Sequence, residues 1–345
     1  MSATTTSAEA VARVRLVRRR TARRGRLIVA VLTVVLLAAF AARVLLGDYL
    51  VTVPDLVRVL SGENLPGTSF VVLDSKLPRA VGAVLAGAAF GLGGALFQTV
   101  LRNPLASPDI IGIGAGASAA AVAAIVLFGV TGGWLAVWAV VGALGTGLAI
   151  LLLAGPRSGA RLVLIGVACS AALVSVVQYL FTRASLYDAQ EGLLWITGSL
   201  NQAAWPGLGR LAVEVLVLVA ATAALAPRLA AAELGADSAA GLGVPVRGVM
   251  PLLLVGVLLT ALATAVTGPI AFVGLIAGPL SRRLNRDRVT LPGAALVGAV
   301  VVEISDYIGA YAVPETNLPV GVITGAVGAV VLIWLIARDP SRRRA

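Results

Sequence analysis

The feature that most constrains this chain is a succession of long apolar runs. They occupy 27–46, 78–101, 109–129, 133–154, 161–181, 210–228, 248–267, 270–281, 291–311 and 318–337. An apolar run of about 20 residues makes a helix that spans a bilayer core, whereas barrel strands alternate over about 10 residues. In lipid every backbone polar group must be satisfied internally, and a helix does this within one segment. Composition agrees. The 345 residues are 59% hydrophobic and 12% charged, where a soluble domain carries about 25% charged residues. The reading is an all-α integral membrane protein with about ten transmembrane helices. The run at 270–281 gives a helix only about 18 Å long, so it needs cover from neighbouring protein. The stretch 192–208 is apolar but carries Trp195, Asn201, Gln202 and Trp205, which fits an interfacial or re-entrant segment.

Charge sets the orientation. The net charge is +11, and the arginines cluster at the ends of apolar runs, which is the pattern of cytoplasmic loops and not of nucleic-acid binding. With the N-terminus inside, inner segments hold 21 of the 27 basic residues and outer segments hold 6. Both termini are therefore expected in the cytoplasm. Residues 1–26, with eight arginines between Arg13 and Arg26, read as a disordered basic tail near anionic lipid. Residues 27–338 form a single transmembrane domain, and 339–345 a second cytoplasmic tail.

The residue inventory excludes several chemistries. The chain has no His, one Cys (Cys169) and two Met, so a disulfide within it is impossible and a His/Cys/Met site for bare zinc, copper or iron is essentially excluded. Lys76 is the single lysine and is followed by Leu77. A phosphate-binding loop needs Gly-x-x-x-x-Gly-Lys-Ser/Thr, so any ATP that drives this protein is bound by another subunit. A His-activated nucleophile is equally absent. The run Gly112-Ile113-Gly114-Ala115-Gly116 lacks the spacing of a dinucleotide loop and reads as close helix packing. Gly87 and Gly91, four apart on one face, and Gly142, Gly145 and Gly147 read the same way.

Two inner segments carry content. Arg102-Asn103-Pro104-Leu105-Ala106-Ser107-Pro108-Asp109 breaks the helix with two prolines and an Asn, and Asp109 is placed to start the next one. Its position suits a gate at the inner mouth of a pathway. The loop 228–247 is Ala-rich with breaks at Gly235 and at Gly243/Pro245. It reads as a short helical hairpin suited to docking, its second helix capped by Asp237 or Ser238.

These residues carry a resemblance. The chain, from about 27 to 338, resembles the FecCD-type permease subunits of ATP-binding-cassette importers for iron–siderophore complexes and cobalamin. The marks are Leu77-Pro78-Arg79, Gln98, Arg102 to Pro108, Glu233-Leu234-Gly235 through Leu242-Gly243-Val244, Gly268-Pro269-Ile270-Ala271-Phe272-Val273-Gly274-Leu275, Leu291-Pro292-Gly293 and Leu318-Pro319-Val320-Gly321. Taken in this order the set is specific. It implies a ten-span subunit that forms half of a dimeric pore in a bacterial cytoplasmic membrane, with no catalytic residue and no cofactor of its own. ATP is used by cytoplasmic ATPase subunits. Glu233, Leu234, Gly235, Asp237, Ala240, Leu242 and Gly243 would form the loop seated in that ATPase. Lys76 and Arg79 would receive carboxylates of an extracytoplasmic substrate-binding protein. Gln98, Arg102, Asn103 and Pro104 would line the inner gate.

There are departures. Many members carry Pro-His after the Phe-Val-Gly-Leu stretch, where this chain has Gly278-Pro279-Leu280-Ser281-Arg282-Arg283. The paired arginines resemble the subset that forms one half of a heterodimer, notably in ferric-catecholate systems such as that for ferric enterobactin. A second outer arginine of some members is Ala310 here, which favours a non-identical permease partner. The implied cargo is an iron–siderophore complex, with cobalamin and haem as alternatives. Glu303 and Asp306 lie three apart and share a helix face. Intramembrane carboxylates are often functional, so a proton-coupled transporter working through Glu303, Asp306 and Asp109 is the competing reading. The other reading is a hydrogen-bonded pair near the outer end, beside Glu315 and Asn317, and ATP drive in the family favours it.

Overall fold

The computed structural model describes residues 2–154, 159–286, 288, 290–313 and 316–337. The helices are α1 (Ser2–Leu45), α2 (Val53–Leu60), α3 (Thr68–Phe70), α4 (Leu77–Val100), α5 (Ile113–Phe128), α6 (Trp134–Ala154), α7 (Gly159–Arg183) and α8 (Leu186–Ile196). They continue as α9 (Trp205–Ala224), α10 (Ala226–Glu233), α11 (Ala236–Gly241), α12 (Met250–Thr267), α13 (Val273–Leu284), α14 (Leu291–Tyr311) and α15 (Val320–Ala337). A π-helical turn, Val71–Lys76, joins α3 to α4, so that Thr68–Val100 is one continuous rod. Among the described residues there is no strand.

Proline punctuates this order. It stands in the first turn of α2, α4, α9, α10, α12 and α14. There the missing N–H leaves no broken bond and the fixed φ suits a helix start.

Among the described residues seven helices are long and apolar enough to cross a membrane: Thr21–Leu45, Thr68–Val100, Trp134–Ala154, Ala160–Arg183, Trp205–Ala224, Met250–Thr267 and Leu291–Tyr311. The other three apolar runs of the sequence fall on α5 and α15, which are shorter apolar helices, and on α13, which has 12 residues.

Several expected boundaries move. The basic tail, expected to be disordered, is helical from Ser2 and continuous with the first span. Arginine is a good helix former and the following apolar segment supplies the nucleus. The helix expected at Asp109 begins at Ile113, because Pro108 and the left-handed Gly112 hold 108–112 in turns. The helix expected from 210 begins at Trp205, with Pro206 in its first turn. The stretch 192–208 is not one segment. It comprises the end of α8, a turn, and the start of α9.

The rod Thr68–Val100 is the central pillar, with 78% of its most apolar stretch buried. Against α4 lie α9, α12, α13 and α14, and their inward faces form the main core around Ala83, Ala86, Phe90, Leu96, Leu252 and Leu259. In lipid such contacts rest on close van der Waals packing more than on water exclusion. Glycines make them close. A Cβ on Gly87 would strike the backbone of Gly298, and one on Gly91 the carbonyl of Ala294, so α14 runs antiparallel to α4 at near-contact distance. Likewise Gly116 of α5 faces Gly142 of α6, and Gly147 faces Val257 of α12. The close-packing reading of the Gly87/Gly91 and Gly112–Gly116 stripes is borne out at these positions, whereas Gly145 meets open space.

Candidate functional site

The end of the bundle at which α4 begins holds a charged cluster built from three helices. Asp306 projects from α14 and is 2% exposed. It accepts hydrogen bonds from Arg43 Nε of α1 at 2.6 Å and from Arg79 Nη2 of α4 at 2.9 Å. Arg43 Nη1 donates to the Tyr311 hydroxyl at 3.1 Å, and its guanidinium lies 5.5 Å from the Tyr311 ring centre. Arg79 Nη2 also reaches Asn317 Oδ1 at 3.4 Å. One carboxylate thus clasps two arginines that no other carboxylate of the described residues pairs within 4.0 Å. Charge-assisted bonds of this kind are the strong ones, and they satisfy ionised groups that lipid and apolar side chains could not.

Lys76 sits beside this cluster on the π-helical turn. Its ammonium donates to the carbonyls of Leu46 and Tyr49, each at 2.7 Å, and the residue is 4% exposed. The turn offsets the side-chain register at the head of α4, as π-bulges do at many functional sites. Arg43, Lys76, Arg79, Tyr49, Tyr311 and Asn317 together line a cleft of about 350 Å³. The two outer cations singled out in the sequence therefore meet at one cleft, and both already hold internal partners. Arg43 was missed as a member of the cluster. Its signal was a charge inside the first apolar run.

Glu303 lies one turn before Asp306 on α14 and is fully buried. Its two carboxyl oxygens have no hydrogen-bond partner among the described residues. The expected pairing of Glu303 with Asp306 is not what forms, since the two arginines take Asp306 instead. Glu315 lies outside the described residues.

The opposite end holds the two segments that the sequence singled out. Gln98, in the last turn of α4, is fully buried and donates from Nε2 to the Leu275 carbonyl of α13 at 2.9 Å. Its backbone carbonyl accepts from the Asn103 N–H at 3.1 Å. Asn103 Oδ1 in turn accepts from the Leu105 N–H at 2.9 Å, a local Asx-type turn that Pro104 interrupts no bond of. Arg102 has φ 51 and stands exposed at the corner. These four residues form one continuous bend from helix to loop.

The loop 228–247 folds as the helical hairpin α10–α11. Glu233 ends α10, and Gly235, with φ 101, turns the chain into α11. Gly235 is the residue before α11, so the expected side-chain cap by Asp237 or Ser238 is replaced by a glycine corner, and both fall inside the helix. The end of α11 is a Schellman motif: Val244 N–H bonds to the Ala239 carbonyl at 2.9 Å and Gly243 N–H to Ala240 at 3.0 Å. Gly243, at φ 81, supplies the left-handed residue that this motif needs. Leu234 and Leu242 project into the open at the two bends, and Ala240 is exposed between them. A Cβ on Gly235 would lie 2.9 Å from Arg102 Nη1, so the hairpin corner touches the α4–α5 bend.

Residues 34–338 match the FecCD transport family. The chain is a member of the FecCD family. Its relatives include the ferric enterobactin transport system permease protein FepG of Escherichia coli (strain K12), 38% identical over 82% of this chain and 87% of that protein. The Fe(3+) dicitrate transport system permease protein FecD of the same strain is 34% identical over 78% of this chain and 86% of its own length. A solved structure described as an inward-facing metal-chelate type ABC transporter superposes with a TM-score of 0.78 at 26% identity, covering 91% of this chain and all of that one. This FecCD chain is thus an all-helical, multi-pass membrane protein related to transport permeases along most of its length.

Proposed function

We propose that this chain is the permease subunit of an ATP-binding-cassette importer that moves an iron–siderophore complex across a bacterial cytoplasmic membrane. The observation that carries this reading is the family match over residues 34–338. The cargo follows the relatives, whose names give ferric enterobactin and ferric dicitrate. Ferric catecholate is the class we favour.

In this reading ten helices cross the membrane, with α13 shielded by α4, α14 and α15, and both termini lie in the cytoplasm. The domain is 27–338, flanked by basic tails at 1–26 and 339–345, the second of which lies outside the described residues. The chain catalyses nothing and binds no cofactor. ATP is hydrolysed by cytoplasmic subunits that receive α10–α11 through Glu233, Leu234, Gly235, Asp237, Ala240, Leu242 and Gly243. A second, non-identical permease completes the pore. A binding protein docks at the outer cleft through Lys76 and Arg79. Because both cations are engaged internally, docking there requires its carboxylates to compete with Asp306 and with two backbone carbonyls. The bend at Gln98, Arg102, Asn103 and Pro104 forms the inner gate.

The test is affinity purification of the tagged chain from native membranes in mild detergent, followed by mass spectrometry and by uptake of a ferric catecholate in a deletion strain. An ATPase with a second permease, and lost uptake, is the expected result. Recovery of the chain alone, under conditions that hold a known importer together, would overturn it. The unpartnered Glu303 favours one second reading, a proton-coupled transporter. That reading expects transport in proteoliposomes under a proton gradient without ATP.

A further inference from the structure

α13 is a short helix with a break inside it. Its 12 residues reach about 18 Å, and Pro279 stands past the middle. Proline has no N–H, so the carbonyl four residues back, that of Leu275, loses its helical donor. Leu275 is 2% exposed, so that carbonyl lies away from water. Within a membrane such a break is tolerated where a neighbouring group satisfies the freed carbonyl.

α4 supplies that group. The two helices run parallel at near-contact distance. A Cβ on Gly94 would strike the Gly274 carbonyl, and one on Gly278 would strike the amide oxygen of Gln98. Gln98 is fully buried, and its Nε2 donates to the Leu275 carbonyl at 2.9 Å and reaches the Gly274 carbonyl at 3.4 Å. Its Oε1 lies against Gly278 and has no hydrogen-bond partner among the described residues. The reverse orientation of the amide would set oxygen against two carbonyl oxygens. A side chain that leaves its own buried oxygen unsatisfied is kept there for its donor. One turn on, Arg282 Nη2 donates to Thr99 Oγ1 at 2.9 Å, a second tie between the same two helices.

We propose that Gln98 is a positioning residue that stands in for the N–H missing at Pro279, and that this hydrogen bond holds the broken helix α13 in register against α4. The inference deepens the reading of the bend at Gln98 as part of a transport gate, and rests on that reading for its effect on uptake. It gives Gln98 a role distinct from lining a pathway: the amide becomes dispensable once residue 279 can donate.

The test is a double-variant cycle in the full-length chain, made together with its partner permease and ATPase in a deletion strain. Thermal unfolding in detergent and uptake of a ferric catecholate are both read. Gln98→Leu keeps the volume and removes the donor. It is expected to lower the thermal midpoint by about 3 °C or more and uptake about tenfold, the size of an unsatisfied buried carbonyl. Pro279→Ala, which returns the N–H, should stay near wild type in both. Combining it with Gln98→Leu should bring uptake back to within about twofold, the error expected of additivity, and the midpoint with it. A Gln98→Leu protein with the wild-type midpoint, or losses that persist in full in the double variant, would overturn the proposal. Should Gln98→Leu alone fail to accumulate in the membrane, the double variant decides: its recovery supports the proposal and its failure overturns it. If the midpoint falls and is rescued while uptake stays at the wild-type level in every variant, the bond stands and the gate reading of this bend fails.

Discussion

At the scale of single residues the strongest constraint is Asp306. It pairs with two arginines that come from α1 and α4, and Arg43 is as buried as Asp306 itself. Removing one partner of such a cluster leaves an uncompensated buried charge, which is far costlier than never having built the pair. Asp306→Ala is therefore expected to destabilise the protein by about 3–5 kcal/mol, read as a large fall in the midpoint of thermal unfolding in detergent. A midpoint unchanged within a degree would mean that the arginines find other partners. Glu303→Gln is the contrasting case. Glu303 is buried with no partner among the described residues, so a neutral amide of the same shape should leave folding and ATP-driven uptake within about twofold, a surface-like effect in free energy. Loss of uptake with intact folding would revive the proton-coupled reading. The charges themselves were visible in the sequence as interruptions of apolar runs. Their pairing was not, because Arg43 and Asp306 are 263 residues apart and nothing local to either one names the other.

At the scale of helices the glycine contacts decide how closely elements approach. Gly87 and Gly91 were legible as a stripe because they recur every four residues on one face of a helix. Their partners, Gly298 and Ala294, could not be assigned from the stripe alone, since small residues occur throughout the chain. The distinction has a measurable edge. A Cβ on Gly298 would meet the backbone of Gly87, which cannot swing aside as a side chain can, whereas one on Gly145 meets nothing within 4 Å. Gly298→Val should lower stability by about 3 kcal/mol or more, at the upper end for overpacking, and reduce the yield of folded protein in detergent. Gly145→Ala should be neutral or slightly stabilising, since alanine is the better helix former. Equal behaviour of the two would refute the close α4–α14 contact. Helix boundaries were less legible than helix identity. Asp109 looked like a helix start because a carboxylate after proline is a common one, yet left-handed Gly112 delays α5 to Ile113. The basic tail lacked any apolar periodicity, so its continuity with α1 was not readable from local pattern.

At the scale of the whole molecule the two ends of the bundle are chemically unlike, and that asymmetry was legible in the distribution of arginine before any helix was placed. The end at which α4 begins carries the buried cluster around Asp306. The other end carries a hairpin whose apolar tips, Leu234 and Leu242, stand in the open although no packing within the chain requires them there. Such tips are suited to a partner. Force delivered to them can reach the bundle only if the corner at Gly235 is stiff. That corner depends on a backbone angle of φ 101, in a region that L-residues rarely adopt and that proline, fixed near −65°, cannot enter. Gly235→Pro should therefore break the turn between α10 and α11 while leaving the membrane helices to insert as before. The expected outcome is a protein present in the membrane at close to normal amount, with uptake of the ferric complex reduced at least about tenfold, a change of 1.4 kcal/mol or more in the coupled step. Gly235→Ala should fall between, because its methyl is strained there but its N–H is kept. Membrane fractionation and uptake in the same cells check both arms. Normal uptake by Gly235→Pro would mean that the hairpin does not carry the force, and the search for the coupling element would move to the bend at Arg102 and Asn103.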